Sequence, residues 1–320
     1  MANTLNMNLV KLVAYLVGFV YVLQFTSIML GNESAVTRIP FRHLTNAFDL
    51  TQDSKDAFDV TQDYAQCIAD GTPLILMVDN RVKVDYDPEL ETQNFIMLAA
   101  TLNRMYALRH RYCFKIVKRD GPCPHETYGD RSPQWCKLLA IASALDDGFA
   151  TIMYLDSDAH VNKMSISIPT FLAAMRNQAI PSPSDMGYYW TSQPDEDLDH
   201  NNQTDALVDN AALLVTADWE TKPETNTGVM IFRNGDVARR MIRAWWDVDD
   251  HNLEWDFEQS AFRTQIYMKE EWARHIARLP MNTMNYNGWF VRHYAGDRPM
   301  ERVPQMTKKI VATVMESILR

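Results

Sequence analysis

Nowhere along the 320 residues do lysine and arginine form a cluster, and 31 basic against 41 acidic residues leave a formal charge of −10. A nucleic-acid surface needs concentrated positive charge, so nucleic acid is excluded as a partner. Cysteine is scarce. Cys67, Cys113, Cys123 and Cys136 stand without Cys-x-x-Cys spacing, which removes the usual zinc arrangements. Cys113 and Cys123 are a pair that an oxidising compartment would allow, although four cysteines admit three connectivities. No Gly-x-Gly-x-x-Gly and no Gly-x-x-x-x-Gly-Lys-Ser/Thr occurs, so the dinucleotide-binding and P-loop readings lose their phosphate cradle. An acidic chain that takes a phosphorylated ligand must then neutralise phosphate locally, which favours a divalent metal.

One long apolar run is present. Leu12 to Leu30 is nineteen residues without a charge, and only Gln24, Thr26 and Ser27 are clearly polar. That length reaches the ~20 residues a membrane span requires. No small-x-small cleavage pattern follows it, so a retained signal anchor is expected rather than a cleaved signal peptide, behind a short tail at 1–11. Lys11 precedes the span and Arg38 and Arg42 follow it, so charge alone does not orient it. Residues 31–72 read as a stem. Ala-Phe-Asp-Leu-Thr-Gln-Asp at 47–53 recurs as Ala-Phe-Asp-Val-Thr-Gln-Asp at 57–63, an acidic duplication too short for a solenoid. Asn32-Glu33-Ser34 and Asn202-Gln203-Thr204 match the N-glycosylation pattern of secretory proteins.

The body alternates apolar runs with helical periodicity. Strands are expected at Pro73–Val78 and Tyr112–Val117 and at the run that starts at Thr151, with helices at Asn94–Arg109 and Trp135–Leu145 between them. This βαβαβ order implies a mostly parallel sheet, right-handed crossovers and a ligand edge at the strands' carboxyl ends. Further strands are expected at Met186–Thr191, Ala211–Thr216 and Val229–Phe232, with helices at Asp236–Asp247 and Glu258–Lys269. Gly121–Pro133 and Asp195–Asp209 read as loops. A single α/β domain over 73–300 and a tail or helix at 301–320 are expected.

The run Thr-Ile-Met-Tyr-Leu from Thr151 ends in Asp156-Ser157-Asp158. Two carboxylates at a strand's carboxyl end suit Mg or Mn, hard cations that neutralise phosphate. An acidic strand-end turn is the plain competitor, since Asp and Ser favour turns.

Several segments, taken in order, resemble Golgi-type glycosyltransferases of the GT-A fold. The likeness is nearest to the family that holds fungal α-galactosyl- and α-mannosyltransferases and plant xyloglucan xylosyltransferases. The matching blocks are Leu102-Asn103-Arg104-Met105-Tyr106-Ala107-Leu108-Arg109-His110-Arg111-Tyr112, Trp135-Cys136-Lys137 and Tyr154-Leu155-Asp156-Ser157-Asp158-Ala159. They continue with Asp218-Trp219, Asn226-Thr227-Gly228-Val229-Met230-Ile231-Phe232-Arg233-Asn234 and Glu258-Gln259-Ser260-Ala261, and finish with Asn285-Tyr286 and His293-Tyr294-Ala295-Gly296. The resemblance implies a Golgi or other secretory-pathway enzyme, single-pass and type II, that transfers a sugar from a nucleotide-diphosphate donor to a glycan acceptor.

The resemblance implies that Asp156, Asp158 and His293 hold Mn (or Mg) beside the donor diphosphate. A mixed carboxylate–imidazole shell suits Mn better than Ca. It places Lys137 against the donor, Asn103 and Tyr106 at the nucleotide edge, and Asn226 and Gly228 beside the donor sugar. Gly296 and Arg298 fall on the phosphate side. Glu258 and Gln259 occupy the position facing the anomeric carbon, and Asp218 is a further candidate for sugar hydroxyls. Retention of configuration needs either a carboxylate nucleophile, which Glu258 can supply, or same-face attack assisted by polar groups, which suits Gln259. Two other readings compete: an inactive carbohydrate-binding or scaffold member of the fold, and a Mg-dependent Asp-x-Asp phosphatase.

Overall fold

The computed structural model describes residues 63–79, 91–118, 122–176, 207–218, 224–249, 257–294, 303, 305–310 and 312–313. The expected anchor at Leu12–Leu30, the duplication at 47–63 (save its last residue) and the strand at Met186–Thr191 lie outside them. Among the described residues no helix is long and apolar enough to cross a membrane.

The chain divides into two compact units. The larger takes residues 62–82 and 99–297; the smaller takes 1–61, 83–98 and 298–320. In the smaller unit Phe95, Ile96 and Leu98, near the start of a helix, are buried, and Met306 and Ile310 are buried as well.

In the larger unit, helix α1 (Tyr64–Ala69) is capped by Asp63, whose side chain accepts the Gln66 N–H. Strand β1 (Leu74–Val78) is a continuous apolar run, as a strand covered on both faces must be. Helix α2 (Glu91–His110), of which residues 99–110 belong to this unit, follows, and β2 (Cys113–Val117) pairs parallel with β1. The segment expected to be a plain loop holds a hairpin, β3 (Cys123–His125) and β4 (Gly129–Arg131). Helix α3 (Cys136–Asp147) stops at Gly148, whose φ of 102° gives the left-handed cap that lets the chain turn into β5 (Thr151–Leu155).

The short strand β6 (Ala159–Val161) and helix α4 (Ile168–Met175) precede β7 (Leu213–Ala217) and the nine-residue β8 (Thr225–Arg233). Helix α5 (Asp236–Trp246) lies C-terminal to β8, and α6 (Phe257–Ala261) runs into a π-helical turn at Phe262–Tyr267, where a single helix was expected. Helix α7 (Glu270–Ala273), β9 (Ile276–Leu279), helix α8 (Met281–Met284) and β10 (Val291–His293) complete the unit.

Among the described residues six strands form the main sheet in the order β2-β1-β5-β8-β7-β9. All run parallel except β8, which pairs antiparallel with both β5 and β7. The mostly parallel α/β sheet expected from the sequence is therefore present. A second pair, β6 with antiparallel β10, sets Ala159 opposite His293. Asn103 on α2 braces it, donating to the Ala159 carbonyl and accepting the Val161 N–H, both at 2.9 Å.

The cysteines correct one expectation. Cys113 and Cys123 do not pair; Cys67 joins Cys113 and Cys123 joins Cys136. The first bond ties α1 to β2, and Tyr64 adds a hydrogen bond to the Phe114 carbonyl. Helix α1 falls within residues 31–72. The second bond ties the β3–β4 hairpin to the first residue of α3, one position before Lys137.

Candidate functional site

The site is assembled at the carboxyl end of β5, where a strand's backbone amides run out of partners. Asp156 continues the ladder by one bond: its N–H donates to the Gly228 carbonyl at 2.7 Å, across from β8. The turn closes when Ala159 N–H returns to the Asp156 carbonyl at 2.9 Å. The β6–β10 pairing then carries His293 back to the same turn, and Tyr294 N–H donates to the Asp158 carbonyl at 3.1 Å. One potential ligand atom from each of Asp156, Asp158 and His293 lies within 4.8 Å of the others. Two carboxylate oxygens and an imidazole nitrogen at that spacing match the donor set of a Mn or Mg site. Gly228 forms the floor: a Cβ there would lie 2.6 Å from His293 Nε2 and 2.9 Å from Asp156 Oδ2, and closer still to His293 Cε1. Only glycine leaves that space open.

Lys137, on the first turn of α3, is buried beneath this edge. Its ammonium lies 2.6 Å from Glu258 Oε1 and 3.7 Å from Asp156 Oδ1, and it donates to the Thr227 carbonyl at 3.2 Å. Burial pulls the ammonium toward neutrality, but Asp156, Glu258 and Asp158 outweigh it and hold its pKa above the ordinary value. Desolvation pushes Asp156 upward, reinforced by Asp158, and Lys137 and His293 only partly offset it. The Tyr154 hydroxyl donates to Asp156 Oδ1, and burial together with that carboxylate raises its pKa, so it stays a donor. His293 is desolvated too, but the Asp158 carboxylate, 3.2 Å from Nε2, raises its pKa.

A polar chain leads from here across β8. Gln259 Oε1 accepts the Thr227 N–H at 3.0 Å, and its amide nitrogen reaches Asp218 Oδ2 at 3.4 Å. Asn226 donates to Asp218 Oδ1 at 3.2 Å while its own Oδ1 accepts the Gly228 N–H at 2.9 Å. Glu258 is 5% exposed, and its backbone carbonyl takes the indole N–H of Trp245 at 2.8 Å, which fixes α6 against α5.

The structure therefore gathers Asp156, Asp158, His293, Lys137, Glu258, Gln259, Asp218, Asn226 and Gly228 into one region. Asn103 and Tyr106 are fully buried and satisfied within the fold: Asn103 braces β6, and Tyr106 donates to the Ile166 carbonyl at 2.9 Å. Gly296 and Arg298 lie outside the described residues. Three residues without an assigned role enter the site, namely Tyr154, Thr227 and Asn285. Asn285 stood in a matching block, but nothing in linear order shows that it meets both Asp218 and His293, as it does at 2.9 and 3.0 Å.

The sequence profile of the galactosyl transferase GMA12/MNN10 family matches residues 71–295. No curated protein matches the chain. Among solved structures, a glycosyltransferase involved in the glycosylation of the major capsid of PBCV-1 aligns with a TM-score of 0.48 at 16% identity, covering 74% of this chain and 99% of that one. A197 from STIV aligns with a TM-score of 0.30 at 10% identity, covering 65% and 82%.

Proposed function

The chain belongs to the galactosyl transferase GMA12/MNN10 family of glycosyltransferases, and on that premise we propose a metal-dependent, retaining transfer of a hexose or pentose from a nucleotide-diphosphate sugar to a glycan acceptor. The observation that carries this reading is the convergence of Asp156, Asp158 and His293 over Gly228. Mn or Mg held by those three residues would supply Lewis-acid stabilisation of the charge that grows on the leaving diphosphate. Keeping all three ligands speaks against an inactive scaffold, and the family assignment leaves the phosphatase reading without support.

The chain's own groups divide the remaining work. Lys137 offsets the carboxylates of Asp156 and Glu258 and so holds them at their posts. Glu258 lies against that ammonium and is shut from solvent, which disfavours it as a nucleophile and favours same-face attack. In that reaction the bond from the anomeric carbon to the diphosphate oxygen breaks with its electron pair on the oxygen. The acceptor oxygen bonds to the same face of the carbon, and its proton passes to the departing phosphate oxygen. Gln259 and Asp218, joined to each other and to Asn226, would orient sugar hydroxyls and stabilise the charge that develops at the ring.

Placement in a secretory-pathway membrane through Leu12–Leu30 is part of the proposal; two disulfides fit an oxidising compartment. Alkaline carbonate extraction tests the anchor, and release of the protein into the soluble fraction would refute it. The activity is tested by incubating the purified chain with UDP- and GDP-sugars with and without Mn. Mn-dependent release of nucleoside diphosphate is expected, and no release from any donor would reject the proposal.

A further inference from the structure

Asn285 follows α8, is fully buried, and has an amide whose orientation its neighbours dictate. Its Oδ1 accepts the Tyr286 N–H at 2.9 Å, so that oxygen can only be an acceptor. Its nitrogen then faces Asp218 Oδ1 at 2.9 Å and the Ala217 carbonyl at 3.5 Å, both acceptors. The same Oδ1 lies 3.0 Å from His293 Nδ1. Since the oxygen cannot donate, Nδ1 must carry the hydrogen. In the neutral ring that leaves Nε2 with its lone pair directed at the Asp156–Asp158 side.

The backbone reinforces this arrangement. Tyr286 holds a φ of 46°, a left-handed conformation uncommon outside glycine and one a bulky residue keeps only when its surroundings demand it. In that conformation Tyr286 gives its N–H to Asn285 Oδ1, while its carbonyl takes the His293 N–H at 3.0 Å. Asn285 and the strained turn thus clamp His293 at the ring and at the main chain.

We propose that Asn285 is the positioning residue of the metal centre: its Oδ1 selects the Nδ1–H form of His293 and aims Nε2, while its amide nitrogen joins that ligand to Asp218 and the sugar side of the site. The inference rests on the metal site proposed above. Partners of this kind orient a metal-bound imidazole, and their loss weakens metal affinity by about 10–100-fold.

Mn binding to the donor-free protein, measured by titration calorimetry, tests it separately from turnover. Wild type must bind Mn; if it does not, the metal-site reading itself fails. Given binding, Asn285→Ala is expected to raise the Kd by about 10–100-fold. Asn285→Asp keeps an acceptor for Nδ1 but sets a second carboxylate against Asp218, so its Kd should stay near wild type while kcat falls. Asn285→Ala with a wild-type Kd, or Asn285→Asp as weak as Asn285→Ala, would overturn the proposal. Should Asn285→Ala not fold, NMR of 15N-histidine-labelled wild type at alkaline pH, where imidazole is neutral, decides alone. His293 as the Nδ1–H tautomer supports the proposal; the Nε2–H tautomer rejects it.

Discussion

Gly228 lies directly beneath His293, so close that a methyl group at position 228 would occupy space held by the imidazole and by Asp156 Oδ2. The contact follows from two pairings that share no strand: β5 with β8 brings Gly228 to Asp156, and β6 with β10 brings His293 to Asp158. Gly228→Ala is therefore expected to displace a residue of the proposed metal site. Mn affinity should drop by at least about 10-fold. Overpacking should lower stability by about 1–3 kcal/mol, read by denaturant unfolding. Unchanged Mn binding in a folded Gly228→Ala protein would contradict this geometry.

Asp156→Ala and Asp158→Ala should each abolish transfer while the circular dichroism spectrum stays that of the wild type. Neither side chain is part of the apolar core; both sit half-buried at its edge. Turnover near the wild-type level for either variant under saturating Mn would remove that aspartate from the ligand set.

Lys137 and Glu258 form a buried pair, 2.6 Å apart, with side chains 4% and 6% exposed. Removing one partner of such a pair strands a charge and costs about 3–5 kcal/mol. Lys137→Met should show that loss in urea unfolding. The double change Lys137→Met with Glu258→Gln should recover much of the stability without recovering activity, since Asp156 has then lost its cation as well. A double variant no more stable than Lys137→Met would indicate that the pair is not what the lysine serves.

Gln259→Ala tests the role proposed for Gln259 beside the anomeric carbon. Its effect should fall on kcat by about 10²–10³, with KM little changed, because the stabilisation belongs to the transition state. Proton NMR of the first product should show the donor's α-linkage retained; a β-linked product would reject the same-face mechanism.

Much of the fold was legible along the chain. The apolar runs of β1, β2 and β5 and the periodicity of α2 and α3 have lengths and boundaries that burial imposes locally, so the βαβαβ order follows from them. Asp156 and Asp158 were legible for the same reason, as charges that end an apolar strand. Other elements were not. Strands β6 and β10 have three residues each, too few to show alternation, and β8 reads as an apolar strand whichever way it runs. Its reversal between β5 and β7 is set by pairing partners, not by its own residues.

What the sequence by itself determined is the sheet class, the acidic edge and the family, because strand burial and motif order are properties of contiguous residues. Only the tertiary structure decided that Cys67 joins Cys113 and Cys123 joins Cys136, that Glu258 is bound to Lys137, and that Asn285 stands between Asp218 and His293. Each of these is a contact between segments distant in the chain or on separate elements. Such a contact depends on strand order and helix packing, and residue spacing carries no record of either.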